Sequence, residues 1–259
     1  TAVGAGTSSR GVYLAKLAAD GSVRWVKAFA AGAGSQAQSI ALHAQSGRIA
    51  LAGSFVGSID FGAGHSLAGA GGRHAFIACF GADGSCRWAQ NFGGSSQDIG
   101  YAVAVDPTGH ALLAGCFTDR IRFGTTELPG SGRLDAFVAR FGLDDGSFVW
   151  ARSFGAAGYD VGHAIACDSA GNVFVSGFFQ GSMVVGDGHP PLTSGGKSDV
   201  FVLKLDAQGR TLWAAGYGGT ASDYGRAIAV DREGHLLVTG AFQGQLRFGA
   251  TVAPLVAGQ

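Results

Sequence analysis

The stretch DIGYAVAVD, residues 98–106, decides the fold because it comes back twice. It returns as DVGHAIACD at residues 160–168 and as DYGRAIAVD at residues 223–231. An aspartate stands at both ends of each copy, and a glycine follows two residues after the first aspartate. A frame that recurs at a fixed step is the mark of a repeat architecture, so the period has to be established first.

The spacing of the tryptophans gives the period of the repeat. The four tryptophans follow one another at steps of 63, 62 and 63 residues: Trp25, Trp88, Trp150 and Trp213. Within each copy, short segments alternate apolar residues with small or polar ones, and no stretch of about ten residues keeps the spacing of an amphipathic helix. The sequence therefore predicts four copies of a four-stranded unit of roughly 62 residues, with about sixteen strands and essentially no helix.

Repeated four-stranded units of this length are typical of a β-propeller, whose blades leave only short edges exposed. We predict an all-β chain in which residues 1–259 form a single β-propeller domain, with repeats at approximately 11–73, 74–134, 135–198 and 199–259. The AIAVD-type segment is expected to be the innermost strand of each blade. In that phase the chain begins with two outer strands and ends with two inner strands.

Two arrangements satisfy this phase, and the sequence leaves both open. In the first, the two ends complete one shared blade and give a closed four-bladed ring with a composite terminal blade. In the second, the four repeats are an arc of a larger propeller.

Copies two to four resemble a known repeat. The frame DAFVARFGLDDGSFVWARSFGAAGYDVGHAIACDSAGNVFVSGFF, residues 135–179, is similar to the bacterial β-propeller repeat family called SBBP. The first copy departs from the pattern, with Gln36-Ala37-Gln38 where the others have Asp-x-Gly. The resemblance implies a propeller from a bacterial, often exported protein, hence an extracellular or cell-surface location. It implies no catalytic residues.

The charge and hydropathy of the sequence limit the classes of partner that we expect. Lys and Arg number 18 and Asp and Glu number 18, so the formal net charge is zero and nothing favours a nucleic-acid partner. The apolar runs are too short to cross a membrane, which argues against membrane insertion. We expect a monomer whose partner is an unidentified protein or glycan.

The repeated aspartates are the candidate site. The second one of each copy opens a tight turn and is predicted to accept backbone N–H groups there: Asp106, Asp168 and Asp231. The first one precedes the inner strand: Asp98, Asp160 and Asp223. The structural interpretation is that each first aspartate ties its loop to backbone N–H groups. Asp160 favours it, because a glycine follows two residues later and no further acidic residue is expected beside it.

A functional interpretation of the first aspartates stays open. Asp98, Asp160 and Asp223 would form a ring of carboxylates able to hold a cation such as Ca²⁺, which prefers oxygen ligands. Tyr159 and Tyr224 flank two of these aspartates and would either stack on a sugar or cap a blade. These five residues are the predicted ligand-binding set.

No catalytic motif is evident. The sequence has no HExxH, no GxSxG and no Walker loop. Its two glutamates, Glu127 and Glu233, offer no acid–base pair for glycoside chemistry. We therefore predict no enzyme activity, no cofactor and no metal site. The leading interpretation is a non-catalytic scaffold or interaction module of a bacterial exported or cell-surface protein. The alternative is a carbohydrate- or divalent-cation-binding propeller that uses the loops before the inner strands.

Overall fold

The computed structural model describes residues 11–94, 96–249 and 253–257, and this part of the chain contains β-strands and no helix. The first eleven strands are β1 (Gly11–Leu17), β2 (Val23–Ala31), β3 (Gln36–His43), β4 (Arg48–Asp60), β5 (Ser66–Phe80), β6 (Cys86–Phe92), β7 (Ile99–Val105), β8 (His110–Phe117), β9 (Arg120–Phe123), β10 (Thr126–Pro129) and β11 (Asp135–Gly142). The remaining strands are β12 (Phe148–Phe154), β13 (Val161–Cys167), β14 (Val173–Phe179), β15 (Ser182–Met183), β16 (Leu192–Thr193), β17 (Asp199–Leu205), β18 (Thr211–Tyr217), β19 (Tyr224–Val230), β20 (Leu236–Ala241), β21 (Gln245–Leu246) and β22 (Leu255–Val256). The all-β prediction is confirmed for the described residues.

The strands group into antiparallel units in the predicted phase. Unit 1 contains β3 to β6, unit 2 contains β7, β8, β11 and β12, and unit 3 contains β13, β14, β17 and β18. The remaining main strands form an N-terminal hairpin, β1–β2, and a C-terminal hairpin, β19–β20. Three short pairs, β9–β10, β15–β16 and β21–β22, follow the second strand of units 2 and 3 and of the C-terminal hairpin, and were not predicted.

The units follow one another along their first strands. Strand β3 contacts β7, β7 contacts β13, and β13 contacts β19. The apolar clusters lie between neighbouring units rather than within one sheet. One cluster joins Ile77 and Phe92 of unit 1 to Leu113 and Phe137 of unit 2, and a second joins units 2 and 3. A third cluster packs hairpin β1–β2 against unit 1, so each unit is stabilised in part by its neighbour.

The two ends of this succession are open. Hairpin β1–β2 joins the sheet of unit 1 through two residue pairs, and β19–β20 forms a sheet of two strands. No strand pairing joins β1 to β20 in the described ranges, so the closed ring with a composite blade is not present there. Apolar side chains are correspondingly uncovered at both ends, with Tyr13 73% and Leu237 62% exposed.

The first copy has a register that the sequence alignment missed. In unit 1, Ala37 lies opposite Gly53, as Gly100 lies opposite Gly115 in unit 2. Ser35 therefore occupies the position of Asp98, and the alignment of Gln36-Ala37-Gln38 with Asp-x-Gly was wrong by one residue. Without the aspartate, the first copy offered no anchor for the alignment.

The repeated tryptophans fasten each unit to the next. Trp150 of unit 2 donates its indole N–H to the carbonyl of Ala207, 3.0 Å away, in the turn between β17 and β18 of unit 3. Trp88 makes the same bond to Leu143 at 2.9 Å. The turn glycine lies flat against the ring, because a Cβ on Gly209 would be 2.8 Å from Trp150 Cδ2. The period of tryptophan is thus the period of the unit-to-unit contact.

Candidate functional site

The three first aspartates are buried, with no exposed area at Asp98, Asp160 or Asp223. Each carboxylate accepts one N–H from the loop before the first strand and one from the turn after the second strand. The N···O distances are 2.9 and 3.3 Å for Asp98 (from Gly94 and Thr118), 3.0 and 3.4 Å for Asp160 (from Ala156 and Gln180), and 2.9 and 3.2 Å for Asp223 (from Gly219 and Gln243). Each aspartate therefore holds two segments of its own unit together.

The main chain of the same aspartates reaches the preceding unit. The backbone N–H of Asp160 donates to the carbonyl of Leu134 at 2.8 Å, and that of Asp98 donates to Arg73 at 2.9 Å. Leu134 directly precedes β11, the third strand of unit 2, and Arg73 lies within β5, the third strand of unit 1. One residue thus connects a loop, a turn and the neighbouring unit, which explains why it recurs.

Burial changes the acidity of two of these carboxyls. It raises the pKa of Asp98 to about 6 and that of Asp160 to about 7, against the lowering effect of the backbone N–H groups. Asp135 adds to the effect at Asp160, because its carboxylate also disfavours a second negative charge. The Asp160 carboxyl consequently binds a proton readily near neutral pH.

The presence of Asp135 corrects the expectation that Asp160 has no acidic neighbour. A Cβ on Gly155 would lie 2.3 Å from an oxygen of Asp135 and 2.8 Å from an oxygen of Asp160, so the two carboxylates face the same glycine. Asp135 is 25 positions earlier in the chain and belongs to the third strand of unit 2. The two meet because the third strand of one unit starts beside the first strand of the next.

The same pairing recurs one unit later with one hydrogen bond missing. Asp199 is 5% exposed and lies close enough to Asp223 for the two charges to interact. Its Oδ1 has no hydrogen-bond partner among the described residues, whereas Asp135 Oδ1 accepts the hydroxyl of Ser131 at 2.6 Å. Gly195 stands where Ser131 stands in the earlier copy, so the missing hydroxyl accounts for the unpaired oxygen.

The two tyrosines of the predicted set contact different groups. The hydroxyl of Tyr159 accepts a hydrogen bond from Arg133 Nη1 at 3.1 Å, at the junction of units 2 and 3. Tyr224 packs edge-on against Phe178 with ring centroids 5.0 Å apart, and the guanidinium of Arg226 lies 5.2 Å from its centroid. Tyr159 therefore belongs to a unit boundary and Tyr224 to the first strand of the C-terminal hairpin.

A second set of side chains lies on the first strands and was not predicted. In each first strand the residue after the Asp-x-Gly position is the extra residue of a β-bulge, which re-aims its side chain. We call these four residues the first-strand row: Gln38, Tyr101, His163 and Arg226.

Three members of the first-strand row touch one another across unit boundaries. The rings of Tyr101 and His163 have centroids 4.4 Å apart, and Arg226 Nη1 lies 2.9 Å from His163 Nε2. Arginine has no acceptor, so it donates this bond and the proton of the neutral imidazole is on Nδ1. Burial and the adjacent Arg226 charge lower the pKa of His163 to about 4, so the imidazole is neutral at physiological pH.

The sequence held a signal for this row. Inside the frame D-x-G-x-A, the residue after the glycine is Tyr, His or Arg in the three clear copies. At this position the copies carry large polar side chains of different chemistry inside a strand that otherwise repeats closely.

The second aspartates take the turn role predicted for them. Asp168 Oδ1 accepts the N–H groups of Ala170 and Asn172 at 3.0 and 2.8 Å, and Asp106 and Asp231 repeat the pattern. Asp106 also pairs with Arg140 at 2.5 Å. Asp231, Glu233 and His235 are all exposed, and one possible ligand atom of each lies within 4.8 Å of the others.

A polar cleft of ≈ 800 Å³ opens beside the loop that carries Asp98. It lies between that loop and hairpin β9–β10, and its charged lining residues include Arg122 and Glu127, which pair with each other at 2.6 Å. The charged side chains of the cleft therefore pair with one another in part.

In the described ranges there is no helix that could cross a membrane.

Comparisons with known proteins give a partial match. No family model matches the sequence. An uncharacterized WD repeat-containing protein of Acanthamoeba polyphaga mimivirus is 30% identical over 114 residues, which cover 38% of this chain and 8% of that protein. A protein of unknown function from Bacteroides caccae, known from its crystal structure, aligns with 92% of this chain and 66% of its own at 12% identity and a TM-score of 0.43. A TM-score of this size does not establish a shared fold. The chain thus spans a small part of the WD repeat relative, and the similarity supports a repeated, propeller-like architecture.

Proposed function

We propose that this chain is an arc of a β-propeller that acts as a non-catalytic protein-interaction scaffold. Its units would be blades, and its first strands would line the inner edge of the arc. The repeat period, the antiparallel four-stranded units and the similarity to a WD repeat-containing protein support this architecture. The resemblance of copies two to four to the SBBP family further suggests a bacterial protein of the cell surface or extracellular space.

The first-strand row is the observation that carries the proposal. Its four residues occupy one backbone position of the repeat, which is a bulge in every copy, and in the copies of Tyr101, His163 and Arg226 a buried aspartate three residues earlier fixes the loop before it. A constant frame that presents different side chains is well suited to recognising a partner. Preorganised side chains lose little entropy on binding.

The geometry of the aspartates supports a scaffold over the ligand-binding alternative. The carboxylates of Asp98, Asp160 and Asp223 are buried and accept backbone N–H groups. A cation such as Ca²⁺ needs several oxygens that converge on it without competing donors. We therefore assign the first aspartates a structural role: they fix the loops and turns next to the first-strand row.

Site-specific cross-linking tests the proposal. A photoreactive benzoylphenylalanine would replace Gln38 in the first-strand row, and a control protein would carry it at exposed Ala170, in the turn at the other end of a first strand. We expect a discrete cross-linked partner from the native source at position 38, competed by unlabelled protein and absent at position 170. Equal labelling at both positions, or none at position 38, would contradict the scaffold role.

A further inference from the structure

We propose that the first-strand row recognises a carboxylate of an acidic segment on a protein partner, with Arg226, His163 and Tyr101 as its donors. This inference rests on the proposed scaffold function and adds the chemistry of the partner. It concerns side chains that the constant features of the repeat do not explain.

The contacts within the row leave donors rather than acceptors. The bond from Arg226 Nη1 uses the one acceptor nitrogen of His163, so the imidazole presents its Nδ1–H. Among the described residues, no acceptor bonds to that N–H, to the hydroxyl of Tyr101 or to the other N–H groups of Arg226. Arg226 and the Nδ1–H of His163 can only donate and the Tyr101 hydroxyl can donate as well, so an anionic oxygen is the ligand that suits all three.

Aromatic contacts fix the donors in place. Arg226 lies over the ring of Tyr224, and Tyr101 packs on His163, which in turn lies 5.7 Å from Phe178. A guanidinium already held over an aromatic ring loses less freedom on binding than a free one. Each donor is therefore oriented before the ligand arrives.

The charge of the row favours a carboxylate over a more highly charged ligand. Arg226 provides one positive charge, and His163 stays neutral because burial and Arg226 hold its pKa at about 4. Burial raises the pKa of Tyr101, the third donor of the row, and the other titratable groups near the row are Tyr224 under Arg226 and the more distant Arg73 and Cys116. One cation with neutral donors matches one carboxylate, whereas nucleic-acid phosphates are bound by many basic residues.

The buried aspartates near the row already have hydrogen-bond donors of their own. Asp160 and Asp223 are close in sequence to His163 and Arg226, but their oxygens already accept backbone N–H groups within their own units. They do not neutralise Arg226 by direct contact. The positive charge of the row therefore remains available to a partner.

Titration by NMR tests this inference on the intact chain. The probes are a capped oligoglutamate peptide, a capped oligoglutamine peptide of equal length and inorganic phosphate, observed through the His163 ring and Arg226 side-chain signals. We expect oligoglutamate to shift both sets of signals and oligoglutamine to leave them unchanged. Binding should also raise the pKa of His163, because a nearby carboxylate favours the imidazolium.

Two variants and a matched control sharpen the result. Arg226→Gln should weaken oligoglutamate binding about tenfold, the loss expected for one charge-assisted hydrogen bond. Tyr101→Phe keeps the ring contact and should weaken binding less. Arg232→Gln, at an exposed arginine in the turn of the same hairpin, should leave it unchanged.

Several outcomes would overturn the inference. Phosphate binding without oligoglutamate binding would make the row a small-anion site, and an unchanged affinity in Arg226→Gln would remove the row from recognition. A partner cross-linked at position 38 through a segment without acidic residues would refute this inference and leave the scaffold function standing. Oligoglutamate binding with no cross-linked partner would refute the scaffold function and leave the carboxylate-binding chemistry of the row standing.

Discussion

Trp150 and Trp213 occupy the same position of the repeat and differ in what covers them. Trp150 is 7% exposed, because the turn of unit 3 presents the carbonyl of Ala207 and the flat face of Gly209 to its ring. Trp213 lies in β18, after which the described residues form the hairpin β19–β20 and the short pair β21–β22, and it is 36% exposed. The tryptophan is therefore a contact between units, and its contribution to stability depends on the neighbour.

The largest expected effect is the loss of a covered tryptophan. Trp150→Ala removes a buried aromatic side chain and a hydrogen bond across the unit boundary, and should cost about 3–5 kcal/mol in the free energy of unfolding. Trp213→Ala, the matched control, should cost less, about 2 kcal/mol, because about a third of its surface is already in water and no neighbouring turn covers its ring. Urea unfolding of both variants measures the difference. Equal costs would show that the neighbouring turn contributes nothing.

The turn glycine supplies the next comparison. Gly209 and Gly21 hold equivalent turn positions with φ of 79° and 83°, so alanine is strained at both, by about 1–2 kcal/mol. A Cβ on Gly209 also meets the ring of Trp150, whereas a Cβ on Gly21 meets no atom within 4 Å. We expect Gly209→Ala to cost about 2–4 kcal/mol in all and Gly21→Ala the strain alone. Similar losses from calorimetry would argue against close packing of the ring on the turn.

The buried aspartate has a smaller effect and a characteristic pH dependence. Asp160→Ala leaves two backbone N–H groups unpaired and should cost about 1–3 kcal/mol, and Asp160→Asn, which keeps one acceptor, should cost less. The folded pKa of Asp160 is raised from 3.8 to about 7. Between these values the folded state keeps a proton that the unfolded state loses.

The stability that this carboxyl contributes is therefore complete below pH 3.8 and is lost as the pH rises towards about 7. The slope is at most about 1.4 kcal/mol per pH unit for one group, and Asp98 acts in the same direction. Asp160→Asn should flatten the decline when unfolding is measured at several pH values. A decline as steep in the variant as in the parent would exclude Asp160 as its source.

The smallest expected effect is a gain. Gly195→Ser would restore at Asp199 the hydroxyl that Ser131 gives Asp135, and should stabilise the chain by about 1 kcal/mol. Gly195→Ala is the control, because it adds the Cβ without the hydroxyl. Thermal unfolding should rank the serine variant above both alanine variant and parent. A serine variant no more stable than the alanine variant would mean that Asp199 Oδ1 gains nothing from the bond.

The sequence was sufficient for what repeats along the chain. The strand phase, the tight turns opened by Asp106 and Asp168 and the buried strand position of Trp150 follow from period and alternation, which are local signals. The register of the first copy failed at Ser35, because that copy lacks the aspartate on which the alignment depended. The short hairpins such as β15–β16 lie in connecting segments whose pattern is too brief to read.

The side-chain contacts between units could not be predicted from the sequence. Asp135 and Asp160 meet across a boundary, and nothing in either local pattern predicts that the carboxylates share one glycine. Tyr101, His163 and Arg226 are more than sixty residues apart in sequence, and a bulge in each first strand aims them at one another. Such contacts depend on how one sheet sits on the next, which the repeat alone does not specify.

Solvent exposure of the individual tryptophans tests the central claim, that each unit is fastened by the turn of the unit that follows it. With 5-fluorotryptophan incorporated, the four fluorine resonances can be assigned by single Trp→Phe changes and their shifts compared between H₂O and D₂O. We expect small solvent isotope shifts for Trp88 and Trp150 and the largest shift for Trp213. A shift at Trp213 as small as that at Trp150 would contradict it.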